Sequence, residues 1–346
     1  MTTKVGLVYH SIYLEHDTGQ HPENARRLEA VMSHLNETGL RRKLIAIEPR
    51  AASPEELAAV HDARYISSLR EQAQQGGGWL DADTFLSPRS YEAALYAAGG
   101  LIRATESVLG GDVGSAFALL RPPGHHAVRE RAMGFCLFNN VAVAARYALA
   151  EGGLERVAII DFDVHHGNGT QDAFYDSSQV LYVSTHEYPF YPGTGSVGEV
   201  GRGDGRGTTL NVPLPAGCGD ARYIEVFEKI IVPLVRRFDP RLILVSAGYD
   251  GHWADQLAMM RLSTGGFGRM VGIISELADE LCGGRLVFTL EGGYNLEALA
   301  ASVGATFNIL MGNPVGDDPL GEPPSSLAVP GLAPLIASIK QVHNLT

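Results

Sequence analysis

The stretch Val157-Ala-Ile-Ile160-Asp161-Phe-Asp163-Val-His165-His166-Gly-Asn168 decides the fold. Its first four residues are an unbroken apolar run. Such a run reads as a short strand buried on both faces, the mark of a parallel sheet. Polar chemistry begins where the run ends. The pattern recurs along the chain: apolar runs at 5–9, 44–47, 116–120, 180–184, 242–246 and 286–290 alternate with helical patterns. Those patterns cover 140–150, 220–237, 263–281, 296–311 and 333–343, and one more starts at Ser87-Pro88 as cap and first turn. The alternation predicts one α/β domain over 1–346, its mostly parallel sheet covered by helices on both faces. A Pro/Gly-rich crossing over 312–331 and a short closing helix complete it.

Composition narrows the function. The 346 residues are 45% hydrophobic and 19% charged, which excludes a disordered chain. Cys136, Cys218 and Cys282 form no CxxC, which excludes a disulfide framework and a thiolate zinc site and fits a reducing compartment. The N-terminus has no apolar signal core, and no run is long enough to span a membrane. A cytoplasmic, membrane-free protein is expected. The 39 acidic against 27 basic residues give a net charge of −12. That field disfavours nucleic acid and tolerates a cationic substrate such as a basic peptide or a polyamine. The oligomeric state stays open, a homo-oligomer included.

The strand ends carry the signal. The run at 116–120 leads into Arg121-Pro-Pro-Gly-His125-His126, the run at 180–184 into Thr185-His186, and the run at 242–246 into Ala-Gly-Tyr249-Asp250. The run at 286–290 leads into Glu291-Gly-Gly-Tyr294. Ligands of open α/β sheets bind beyond the carboxyl ends of the strands. In extended chain, residues two apart point to one side, so Asp163 and His165 can share an ion, with Asp250 as a third donor. Two carboxylates and an imidazole with an open position make a catalytic rather than a structural site, for zinc or iron(II) alike. Taken alone, D-x-D-x-H could equally be a loop cap. His125 and His126 need partners to fix their tautomers, and Asp161 and Asn168 are the candidates. Tyr294 reads either as a phenol in the crevice or as a capping aromatic.

Six ordered motifs, RPPGHH, GFCLFNN, DFDVHHGNGT, FYPGTG, NVPLP and LEGGYN, resemble those of the zinc-dependent histone deacetylase/acetylpolyamine amidohydrolase family. The likeness spans about residues 8–312. Asn168, GFCLFNN and HPENARRL are similar to the class II branch, and HSIYLEHDTGQHPE to its bacterial members. The resemblance implies the arginase-deacetylase fold and hydrolysis of an N-acetyl amide, most simply acetyl-lysine of a protein or peptide, to acetate and a free amine. It implies one Zn2+ per subunit on Asp163, His165 and Asp250, with Fe2+ as the alternative ion. His126 backed by Asn168 becomes the general base, His125 backed by Asp161 an electrostatic residue, and Tyr294 the donor to the scissile carbonyl. Gly134, Phe135 and Tyr191 would line the acyl tunnel, with Leu257 at its mouth and Thr84 or Asp83 anchoring a peptide backbone. Arg27 would lie by an inner acetate cavity. Structural potassium is implied near Asp161, Asp163, His165, Ser184 and Thr185, and near Phe174, Ser177, Val180 and Tyr223. Alternatives within reach of the sequence are an acetylpolyamine or small-amide hydrolase, an arginase-like ureohydrolase and a non-catalytic scaffold.

Overall fold

The computed structural model describes residues 4–316, 318–324, 329 and 331–346. Ten strands run β1 (Val5–Val8), β2 (Ile45–Ile47), β3 (Gly78–Trp79), β4 (Phe85–Leu86), β5 (Ser115–Ala118), β6 (Val157–Asp161), β7 (Val180–Glu187), β8 (Thr209–Leu214), β9 (Ile243–Ala247) and β10 (Leu286–Leu290). Eight form one sheet in the order β2-β1-β5-β10-β9-β6-β7-β8, and every pairing in it is parallel. Each apolar run of the sequence lies in it. The edge strand β8 is the one the sequence conceals, because TLNVPL carries Asn211 and Pro213. An edge strand tolerates proline, which has no N–H to give a neighbour.

Among the described residues, eleven α-helices surround the sheet: α1 (Arg26–Glu37), α2 (Pro54–Ala58), α3 (Ala63–Gln74), α4 (Ser90–Leu109), α5 (Asn140–Ala150), α6 (Asn168–Phe174), α7 (Asp220–Val226), α8 (Val232–Phe238), α9 (Thr264–Cys282), α10 (Leu296–Leu310) and α11 (Ala333–His343). α1 packs on α10, α10 on α9, and α4 on α5. The start expected at Ser87-Pro88 is displaced to Ser90, whose hydroxyl accepts the Ser87 N–H at 2.7 Å across a preceding turn. The stretch read as one helix over 220–237 contains a widened π turn, Phe227–Ile231, between α7 and α8. Pro233 follows it, and the wider turn absorbs the bond that proline cannot make. The expected crossing at 312–331 falls in part on residues outside those described.

Topology places the site. After β5 the chain skips over two strand positions to β6, and β9 and β10 fill the gap later. The carboxyl ends of β5, β10, β9 and β6 therefore lie side by side, each continuing into a polar loop. The small antiparallel hairpin β3–β4 presents the loop at 80–84.

Candidate active site

A narrow pocket of about 200 Å3 lies at these strand ends. From β5, the loop Arg121–His126 is pinned from below. The buried Arg121 guanidinium grips the Glu23 carboxylate at 2.5 and 2.9 Å and the carbonyls of Tyr13 and His16 at 2.9 and 3.0 Å. Above it, Gly124 N–H donates to Glu291 Oε2 at 2.7 Å, and Ser246 donates to the other carboxylate oxygen at 3.0 Å. Glu291 is fully buried, which pushes its pKa up to about 7 against the pull of His125.

The two imidazoles then stand 4.0 Å apart. His126 Nδ1 pairs with Asn168 Oδ1 at 2.9 Å. Because that oxygen only accepts, the proton sits on Nδ1 and Nε2 is left for the pocket. Burial pushes the His126 pKa well down, and His125 and His165 push it further. His125 Nδ1 faces Asp161 Oδ2 at 3.1 Å. Burial disfavours its charge, yet the Asp161 and Asp163 carboxylates outweigh burial and hold its pKa up at about 10.

Asp163 and His165, just past β6, meet Asp250 from beyond β9 with their donor atoms all within 4.8 Å. His165 Nδ1 faces Asp163 Oδ1 at 3.1 Å and Asp250 Oδ2 at 3.2 Å. One ring nitrogen carries at most one proton and cannot serve both oxygens. Asp250 Oδ2 is accordingly buried without a hydrogen-bond partner, an expensive arrangement for a carboxylate. A cation between the three donors answers that deficit, and the oxygen–nitrogen set without thiolate suits zinc or iron(II). Gly292 is required here, since a Cβ on it would lie 2.0 Å from Asp250 Oδ2.

Tyr294 completes the pocket floor. It is buried, which raises its phenol pKa well above the usual value, so it keeps a proton to donate. The Arg27 guanidinium lies 5.0 Å from its ring centroid and also donates to the carbonyls of Glu291 and Gly293. Arg27 thus sits behind Tyr294. Phe135 and Tyr191 both line the pocket, Tyr191 edge-on to His126 at 5.1 Å and 37% exposed at the rim. Phe190, which the sequence reading passed over within FYPGTG, also lines it and stacks on His165 at 5.4 Å. Gly134 and Leu257 belong to the same lining.

Thr84 is fully buried with its hydroxyl accepting the Phe135 N–H, while Asp83, the other expected anchor, lines the pocket. Tyr223 is fully buried, which raises its phenol pKa, and the carboxylates of Glu187, Asp250 and Asp163 raise it further. The Thr208 hydroxyl donates to the Ser177 carbonyl at 2.9 Å. For the other cation group, Asp161 and Ser184 are register partners on β6 and β7, and the buried Thr185 hydroxyl has no partner.

A parallel α/β sheet whose strand ends gather two carboxylates, an imidazole and a buried phenol around a narrow pocket defines a class of metal-site α/β proteins. Within that class, the chain belongs to the histone deacetylase family, whose domain matches residues 21–310. It is 45% identical to "Histone deacetylase 10, chloroplastic" of Oryza sativa subsp. japonica, over 86% of this chain and 71% of that one. It is 43% identical to "Probable deacetylase" of Archaeoglobus fulgidus, over 84% and 82%, and 42% identical to "Histone deacetylase-like amidohydrolase" of Pseudomonas aeruginosa, over 79% and 72%. The crystal structure of the HDA15 HD domain superposes with a TM-score of 0.89 at 35% identity, covering 100% of this chain and 94% of that one. The activity class is deacetylase or amidohydrolase. Among the described residues, no helix is long and apolar enough to cross a membrane.

Proposed function

We propose that the protein hydrolyses the N-acetyl amide of acetyl-lysine in a peptide or protein, releasing acetate and the free amine. The observation that carries this reading is the tunnel itself. His126 and Tyr294 line the same narrow pocket as His165 of the donor triad, under apolar walls that fit an acyl-alkyl chain.

The roles follow from the geometry. A zinc or iron(II) ion on Asp163, His165 and Asp250 would polarise the acyl carbonyl and bring a water's pKa toward ~7. His126 Nε2 takes the proton of the attacking water and later gives it to the departing nitrogen, a service typically worth 10²–10⁴-fold. Asn168 keeps the His126 proton on Nδ1 so that Nε2 can act. Tyr294 donates to the carbonyl oxygen as negative charge builds on it. His125, held charged between carboxylates, stabilises that charge without moving a proton. The unpartnered Thr185 hydroxyl supports a potassium ion beside Asp161 and Ser184.

Leu257 at the mouth offers no charge to a distal ammonium, which favours acyl-lysine over an acetylpolyamine. Asp83 at the same mouth suits a peptide N–H. The test is a turnover panel of acetyl-lysine peptides, N-acetylated polyamines and aryl acetamides, compared by kcat/KM. The peptides should lead. An acetylpolyamine ahead by about tenfold, ~1.4 kcal/mol, would overturn the substrate assignment, and no turnover of any amide would overturn the activity.

A further inference from the structure

One wall of the pocket is a tight turn, closed by paired backbone hydrogen bonds between Met133 and Cys136 at 3.2 and 3.0 Å, whose inner N–H is held by a side-chain hydroxyl. Gly134 and Phe135 are consecutive left-handed residues, with φ of 56° and 70°. Glycine adopts this region freely and phenylalanine does not. The Phe135 N–H donates to Thr84 Oγ1 at 3.1 Å. The same hydroxyl donates its own proton to Asp83 Oδ1, also at 3.1 Å. Thr84 is in turn fixed by its backbone N–H, which donates to Asp81 Oδ1 at 2.7 Å. The β3–β4 loop and the pocket wall are therefore joined through one fully buried side chain.

The neighbouring contacts limit where Phe135 can go. A Cβ at Gly134 would lie 2.4 Å from the His126 ring, so no side chain fits between this backbone and that imidazole. The Phe135 ring meets Tyr294 edge-on at 5.9 Å and His21 edge-on at 4.5 Å. Those rings bound Phe135 on the pocket side, while the Thr84 hydroxyl holds its N–H and engages Asp83 Oδ1.

We propose that Thr84 is a positioning residue, locking the left-handed Phe135 peptide and aiming Asp83 through one hydroxyl, so that tunnel wall and mouth carboxylate form a unit set before substrate enters. The inference rests on reading the pocket as the acyl tunnel and adds how its width and mouth are fixed. It makes Thr84 a determinant of substrate affinity although no substrate atom touches it.

The test compares Thr84→Val, which keeps the shape and loses the hydroxyl, with Thr84→Ser, which keeps the hydroxyl. Hydrogen–deuterium exchange of the segment 133–137 should quicken about tenfold in Thr84→Val and return to wild type in Thr84→Ser. KM for an acetyl-lysine peptide should rise about tenfold in Thr84→Val while kcat falls by less than about threefold. A hydroxyl that only supported the fold would lower the melting temperature and the active fraction, hence kcat, and leave KM alone. Unchanged exchange, or a KM within about twofold of wild type, would overturn the proposal. Thr84→Ala serves the same comparison if valine prevents folding. A wild type that turns over no amide would defeat the proposed function, while the exchange measurement still decides the latch.

Discussion

Asp255 holds the backbone of Tyr294: its Oδ2 accepts the Tyr294 N–H at 2.6 Å and the Asn295 N–H at 2.8 Å. Its other oxygen accepts the Leu257 N–H at 3.0 Å. One nearly buried carboxylate thus ties the phenol of the floor to the leucine of the mouth. Tyr294 follows two glycines, Gly293 with a φ of 117°; Arg27 holds the Gly293 carbonyl on one side and Asp255 the Tyr294 N–H on the other.

Asp255→Ala should therefore lower kcat by roughly 10–10² through misplacement of Tyr294. Tyr294→Phe, which removes only the donor, should lower it by about 10²–10³. In the double variant the losses should not multiply, because both act through one hydroxyl. Steady-state kinetics of the four proteins form the cycle. Fully multiplicative losses would separate Asp255 from the phenol.

Metal dependence has its own signature. Chelation should abolish turnover, and added zinc or iron(II) should restore it. Asp250→Ala should bind the ion poorly and resist restoration, since one of three protein donors is gone. Elemental analysis of both proteins checks this, with Tyr294→Phe as the control that keeps full metal content. An Asp250→Ala protein that holds a full complement of ion would refute the donor set.

The two histidines should differ. His126→Ala removes the group assigned to move protons and should cost about 10²–10⁴ in kcat. His125→Ala removes a charge and should cost less. Kinetics with an acetyl-lysine peptide decide the order, and a larger loss at His125 would exchange the two roles.

What the sequence disclosed and what it hid follow one physical line. Strands β5, β6, β7, β9 and β10 were legible because burial on both faces demands unbroken apolar runs, and their polar ends stood out against those runs. β8 was not, since an edge strand can carry Asn211 and Pro213. α1 and α3 were missed because their buried positions, such as Leu28, Val31 and Leu35, are spread among charged residues. Within the site, side chains near the donor triad were visible from their chemistry. Glu291, Asp255 and Arg121 act on the backbone of other segments, and such contacts leave no local pattern. Thr84 is similar: its neighbour faces the mouth, while its own hydroxyl turns inward to Phe135.

Acid should weaken the fold from neutral pH downward, and His61 shows why. The ring is buried between two backbone groups: Nε2 accepts the Asn139 N–H at 2.9 Å, which places the ring proton on Nδ1, facing the Val128 carbonyl at 3.0 Å. A second proton on Nε2 would confront the Asn139 N–H. Burial pushes the pKa down to about 4, from 6.5 for a free imidazole. Between those values the unfolded chain binds a proton that the folded chain refuses, so stability rises with pH there. The contribution is present in full above about pH 6.5 and is lost as pH falls toward 4, on the order of 3 kcal/mol for this group. His16 and His166, each also pushed down to about 4 chiefly by burial, act in the same direction. Glu291, pushed up to about 7, acts in the opposite direction as a single group against these three, so the melting temperature should still fall between about pH 7 and pH 5. His61→Gln should be less stable than wild type at neutral pH, with the gap narrowing toward pH 5. A gap of constant size would show that the His61 imidazole charges as readily inside the fold as outside it.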